Sequence, residues 1–227
     1  MNGFVKRTLG ALAVAAAVVG IGATPAQAQG DQQVLVNQSE ATLSNFMRDP
    51  EMKWLQQNFG RAKAVMISPE IVKAGFIFGG SGGRAIVVAK AGNRWVGPSF
   101  YTMATASVGF QAGVAVSEMV TLVMTDKGLN SLLSANFKMG GDASVAAGPV
   151  GAGAKSDIVA DLITFTRAKG VYGGINLDGT LVNLSDEWNK AYFGKPVLPP
   201  DILIKATVSN KGADKLLAEV ARAAGGK

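Results

Sequence analysis

The stretch GPVGAGAKSD, residues 148–157, strings glycines, a lysine and a serine together as a phosphate-binding loop does. In that loop, G-x-x-x-x-G-K-[ST], backbone N–H groups wrap the phosphates and the lysine meets the terminal ones. Gly148 and Gly153 have the right separation, but Ala154 sits between Gly153 and Lys155 and puts the lysine one place out of register. The motif also needs a strand before it and a helix after it. Here small residues precede the loop, and LITFTRAKG follows as β-structure. No nucleotide is expected; the stretch reads as a tight β-connection that exposes Lys155. A second series, Gly80-Ser81-Gly82 to Ala85, mimics the dinucleotide fingerprint G-x-G-x-x-A. That fingerprint must open a helix, whereas AIVVAK is β-branched and strand-like, so a dinucleotide site is rejected.

The chain has no cysteine and no histidine. Disulfides, Cys nucleophiles, lipid-modified cysteines, Ser-His-Asp triads and Cys- or His-ligated metals are thereby excluded. Carboxylate, lysine and tyrosine chemistry remain, without the usual general base. The expectation is a protein that is not an enzyme and needs no cofactor or metal. One carboxylate stands out. Val116, Glu118, Val120, Leu122 and Met124 fall on one face of an alternating strand. An unpaired carboxylate is costly to bury in such a row. Glu118 is either held by an ion pair or backbone hydrogen bond, or is a perturbed functional group.

The elements that must position these residues can be read from periodicity and punctuation. Residues 32–48 have helical spacing, with Leu35, Val36, Leu43, Phe46 and Met47 mostly on one side. Asp49-Pro50 breaks that helix, and EMKWLQQNFG reads as a shorter one ending at Gly60. Its Trp54 and Phe59 are core residues or, on the sharper reading, anchors in a membrane interface. AKAVMI reads as a strand, and SPEIVKAG as a helical turn capped by Ser68 with Pro69 at its first position. FIFGGSGGRAIVVAKAGNRWVG reads as strand, glycine loop, strand, turn, strand. VAVSEMVTLVMTD is a strand, and Asp126 caps a short helix, KGLNSLLS. Asp178-Gly179 between two apolar runs signals a hairpin. In its first strand Ile163, Phe165, Arg167 and Lys169 share a face, which sets two cations side by side. Ser185 caps DEWNKAYFG, and Pro199-Pro200 interrupts the segment beyond it. Ser209 begins a final helix through Ala224 with Leu216, Leu217 and Val220 as its apolar side.

The 227 residues suffice for one medium domain with a real core. The first 28 have the form of a secretory signal: Lys6 and Arg7, an apolar run over 9–23, then the small-x-small site Ala26-Gln27-Ala28. The apolar run is shorter than the roughly 20 residues of a membrane span. Cleavage after Ala28 and export to a periplasm or beyond are expected, leaving 20 basic against 16 acidic residues. Charge is uneven in the remainder. Between Arg61 and Arg94 lie six cations (Arg61, Lys63, Lys73, Arg84, Lys90, Arg94) and one acid, Glu70. Such an excess favours an anionic partner through long-range attraction, or is simply a solvated surface.

Four blocks together resemble the SYLF domain family, the Ysc-type actin-binding domain. They are GFIFGGSGGRAIVVAKAGNRWVGPSF, SVGFQAGVAVSEMVTLVMTDKGLNSLL, ASVAAGPVGAGAKSD and TFTRAKGVYGGINLDGTLV, and the resemblance spans about 34–194. Residues 195–227 lie outside it as a C-terminal helical extension, in one domain running 29–227. The resemblance implies a lipid-binding module rather than a catalyst. Eukaryotic members bind phosphoinositide-containing membranes, partly through an amphipathic N-terminal helix, and some bundle actin; bacterial members are mostly exported envelope proteins. Here the matching helix carries one basic residue, Arg48, and the lipobox cysteine is absent. Actin binding is not carried over to an exported chain.

The expected fold is α+β, a mostly antiparallel twisted sheet system, sandwich- or barrel-like, with short helices at its ends and flank. The expected function is recognition of anionic phospholipid head groups at a bacterial envelope surface, with no nucleotide or nucleic acid. Lys63, Lys73, Arg84, Arg94, Lys155, Arg167 and Lys169 are the candidates for phosphate contact, with Trp54 and Phe59 for insertion. The alternatives are an envelope interaction protein binding a protein or glycan, and a carrier of a small apolar ligand.

Overall fold

The structure is a computed structural model. It describes residues 25–75, 78–108, 113–151, 158–168, 171–172 and 177–225. Its fold is α+β. Nine strands form one sheet: β1 Ala64–Gly75, β2 Phe78–Ala91, β3 Arg94–Val108, β4 Gly113–Val123, β5 Asn136–Lys138, β6 Val145–Ala147, β7 Leu162–Ala168, β8 Val171–Tyr172 and β9 Leu181–Leu184. The order across it is β5-β9-β3-β2-β1-β4-β7-β6, with β8 also on β7. Every pairing is antiparallel except β6 with β7.

The strand order and the chain length between two edges force the sheet to curl. Strands β5 and β6 stand at opposite ends of the order, yet are consecutive in sequence. Laid flat, eight strands would hold their edges about 34 Å apart. The chain from Lys138 to Val145 reaches no more than about 25 Å. It is further shortened by a turn in which Met139 bridges Ala143. The sheet therefore curls into a half-barrel, the barrel-like form of the expected fold.

Curling gives the sheet an inside and an outside, each with its own core. Ala64, Met66, Val87, Tyr101, Met103, Met119 and Phe137 pack inside, where the Tyr101 hydroxyl donates to the Leu132 carbonyl. Residues of opposite parity, Val65, Ile67, Ile86, Val88, Val120 and Leu122, face outward under helices. Strands buried on both faces explain the continuous apolar runs. The covering helices are α1 Pro25–Arg48, α2 Lys53–Asn58 (flanked by 3₁₀ turns Pro50–Met52 and Phe59–Arg61), α4 Asp186–Phe193 and α6 Asp214–Ala223. Helices α3 Asp126–Leu133 and α5 Pro199–Leu203 pack on the inner core.

Several expected elements are realised differently. SPEIVKAG is the second half of β1, not a helical turn. The Ser68 hydroxyl donates across to the Arg84 carbonyl at 2.7 Å instead of capping a helix. Pro69 sits in a β-bulge, where its missing N–H costs no ladder bond. The bulge shifts the alternation, so Ile71 turns into the inner core and Glu70 stays exposed. Gly79 to Gly83 form no loop but continue β2, paired residue by residue with β1 and β3. Helix α3 is capped by Thr125, whose hydroxyl accepts from the Gly128 N–H at 3.1 Å; Asp126 is its first residue. The Asp178-Gly179 turn forms, with Gly179 at φ 82°. Strand β9 beyond it, however, pairs with β3 and β5 rather than folding back on β7. Pro199-Pro200 starts α5, and the last helix begins at Asp214 after a 3₁₀ turn capped by Asn210. The expected signal segment lies outside the described residues except for its last four, which belong to α1. Among the described residues no helix is long and apolar enough to cross a membrane.

Candidate functional site

The six cations between Arg61 and Arg94 are sorted by the strand that carries them. Lys63 precedes β1, and Lys90 ends β2 beside it, its N–H donating to the Lys63 carbonyl at 2.8 Å. Arg61 closes the 3₁₀ turn that leads into β1. These three side chains, with Gly92, Asp126 and Leu129, line a cleft of about 330 Å³ at one end of the barrel. Lys63 Nζ meets Asp126 Oδ1 at 2.8 Å, and Arg61 Nη1 donates to Asn58 Oδ1 at 2.7 Å. Among the described residues that line the cleft, Asp126 is the one carboxylate, facing three cations. Arg94 opens β3 opposite Ala91 at the same end, exposed. Arg61 and Lys90 belong with Lys63 because an antiparallel hairpin returns the chain to the same end, a pairing that distance along the sequence hides.

The other candidates lie elsewhere. Lys73 is ten residues along β1 from Lys63, about 33 Å at strand rise. Arg84 sits midway, its guanidinium stacked 3.9 Å over the Trp188 ring of α4. Lys155 and Lys169 fall outside the described residues, so the pair of neighbouring cations proposed for 167 and 169 does too. Arg167 is used internally. It is ion-paired with Glu118 of β4 and lies 3.6 Å from an Asp49 carboxylate oxygen, over the Phe46 ring. Glu118 also accepts from the Thr42 hydroxyl at 3.2 Å. Of the two readings of Glu118, the ion pair is the one realised, and it fastens the end of α1 to the β4–β7 edge.

The aromatic anchors are also internal. Phe59 is fully buried and stacks near Trp95, with ring centroids 6.3 Å apart. As folded it is a core residue, not an insertion point. Trp54 is half-buried and lies 6.0 Å from Phe165. The apolar stripe of α1 is spent in the same way: Leu35, Val36, Leu43 and Phe46 are in the outer core. Neither tyrosine near the cores is poised to act as a base. Burial pushes the Tyr101 and Tyr192 phenols above their ordinary value.

Gly148, first glycine of the pseudo-phosphate loop, has a packing reason. A Cβ there would lie 2.2 Å from the Phe165 ring. Its N–H is already bonded to the Thr164 carbonyl at 2.8 Å. Residues 152–157, with Lys155, lie outside the described residues.

Residues 104–223 match the Ysc84 family, described as Las17-binding protein actin regulator. The match runs through α6, past the end of the stretch that carries the resemblance in sequence. Among curated proteins the chain is similar to the SH3 domain-containing YSC84-like protein 1 of Xenopus laevis, at 30% identity over 131 residues (55% of this chain, 39% of that protein). It is 28% identical over 162 residues to the human protein of that name (69% and 47%). It is 29% identical over 165 residues to protein YSC84 of Saccharomyces cerevisiae (69% and 35%). The chain spans less than half the length of each of these relatives.

Proposed function

Because the chain belongs to the Ysc84 family, described as binding proteins and regulators, we propose that it acts by binding, as an exported module that recognises anionic phospholipid head groups at a bacterial envelope surface. The observation that carries this reading is the convergence of Arg61, Lys63 and Lys90 on one cleft that holds a single carboxylate. Each cation near an anionic surface contributes on the order of 1 kcal/mol, so three cations offset by Asp126 give weak, reversible, salt-sensitive attachment. Binding through this cleft leaves both cores and the Arg167 ion pairs intact.

Co-sedimentation of residues 29–227 with anionic and zwitterionic vesicles, at low and high salt, tests the reading. Binding to anionic vesicles alone, weakened by salt and lost in Lys63→Glu/Lys90→Glu, is expected. Equal binding by that variant would refute the cleft, and no binding to either vesicle would refute the membrane reading.

A second reading, an interaction module for a protein partner, is favoured by a sheet face that is apolar and exposed among the described residues. Val72, Val114 and Leu181 are 38%, 71% and 49% exposed there. Saturable binding to an envelope protein, indifferent to lipid charge, would support it.

A further inference from the structure

Helix α1 crosses the outer face of the sheet and divides it. Together with α2, α4 and α6 it covers part of that face, and among the described residues Val72 of β1 and Val114 of β4 are left exposed on the rest. Where α1 meets the open part lies a groove of about 590 Å³, a volume in the range of small-molecule sites. Its apolar wall comes from Val34 of α1, Pro69 and Val72 of β1 and Trp188 of α4, and its floor from Gly82 and Gly83 of β2 beside Met103 of β3, whose side chain lies in the inner core. Three charged side chains stand at it: Arg84, Asp31 and Glu70.

The two floor glycines differ in a way that points to a ligand. A Cβ on Gly83 would lie 2.4 Å from the Glu70 carbonyl oxygen, which the bulge in β1 pushes against it. The fold needs that glycine. A Cβ on Gly82 would meet only the Met103 carbonyl oxygen, at 3.5 Å, an ordinary contact. Backbone packing therefore does not demand glycine at 82, yet a side chain there would stand in the groove. Gly82 is cross-strand neighbour to Val72 and Ala104, both on the open face.

The charges state what the head of the ligand must carry. Arg84 is exposed, stacked on Trp188, and has no carboxylate within ion-pair distance among the described residues. Stacking uses the face of a guanidinium and leaves its N–H edge able to bond a phosphate. Glu70 is its cross-strand neighbour, and Asp31 comes from α1. One cation beside two carboxylates disfavours a purely anionic ligand and suits a phosphate linked to an ammonium.

We propose that this groove binds one molecule of a zwitterionic phospholipid: the phosphate on Arg84, the ammonium toward Glu70 and Asp31, and an acyl chain along Val34, Val72 and Gly82. The site is distinct from the Arg61–Lys63–Lys90 cleft and suits a zwitterionic rather than a purely anionic head group. It stands or falls without the membrane reading.

Titration calorimetry of the full chain with a lyso-phosphatidylethanolamine, held below its micelle-forming concentration, tests it. Saturable one-to-one binding is expected. Gly82→Leu should weaken it by at least about tenfold, and Arg84→Gln by about tenfold, at unchanged Tm and circular dichroism. Lys63→Glu/Lys90→Glu should bind as the wild type does. The proposal is overturned by no saturable binding, by undiminished binding in Gly82→Leu or Arg84→Gln, by loss in the Lys63/Lys90 variant, or by equal affinity for a fatty acid of the same chain length. If Gly82→Leu does not fold, the exposed Arg84→Gln carries the test.

Discussion

At the scale of single residues, charges that look like binding groups divide into those committed inside the molecule and those left to solvent. Arg167 and Glu118 are committed: they sit on adjacent strands at matched positions and join Asp49 and Thr42 in one network. Asp161 is committed more tightly. Its carboxylate accepts from the Thr125 hydroxyl and from both the N–H and the hydroxyl of Ser144, and its carbonyl accepts from the Met124 N–H. Those carboxylate donors, led by Thr125 and the Ser144 N–H, hold its pKa down at about 2. A carboxylate whose pKa is depressed on folding contributes stability above its unfolded value and loses it as pH falls through the folded one. Urea midpoints measured from pH 6 to pH 2 should therefore fall, and the fall should flatten in Asp161→Asn. Near neutral pH the same substitution should cost about 2–3 kcal/mol, because it leaves donors around the site poorly matched. An unchanged slope would mean that other carboxylates govern acid unfolding.

At the scale of elements, the glycine-rich hairpin of β1 and β2 is held by close backbone contact rather than by a loop. The bulge at Ser68 and Pro69 drives the Glu70 carbonyl toward β2, and only a residue without a Cβ fits beneath it. Gly83→Ala should therefore destabilise the fold by about 1–3 kcal/mol through overpacking, while Gly82→Ala should be close to neutral. Denaturant titration of the two variants side by side checks the contrast; equal midpoints would show that the bulge can relax. In sequence the two glycines are indistinguishable, since the oxygen that separates them belongs to a different strand.

At the scale of the whole molecule, the outer core is assembled from both ends of the chain. Helix α6 packs on α1 and places Leu216 and Val220 fully out of solvent, so it contributes to the outer core. Gln33 of α1 adds a bond from its amide to the Gly212 carbonyl at 2.8 Å. Leu216→Ala should cost about 2–5 kcal/mol, as buried leucine truncations do, and should lower Tm accordingly. An unchanged Tm would mean that α6 is only loosely attached. The same architecture sets exposed Val72 nine residues along β1 from Lys63 of the basic cleft, about 30 Å at strand rise, so a flat surface bound at one leaves the other accessible.

Much of the fold was legible from residue patterns. Helical periodicity marked α1 and the helix after Asp49-Pro50, alternation marked the buried strands, and the absence of histidine and cysteine removed whole classes of chemistry. These are local or compositional properties, and neighbouring residues suffice to express them. The misread segments are those where a distant partner outweighs a local preference. Ser68 and Pro69 carry a helix-start signature, yet Ser68 bonds the Arg84 carbonyl across the sheet. Phe59 has the character of a membrane anchor, yet Trp95 and the outer core claim it. The basic cleft was legible as a charge excess but not as a site. Arg61, Lys63 and Lys90 meet only because antiparallel pairing brings the start of one strand beside the end of the next. Side-chain chemistry is written residue by residue, whereas convergence depends on strand register and on the curl that a short link between two sheet edges imposes.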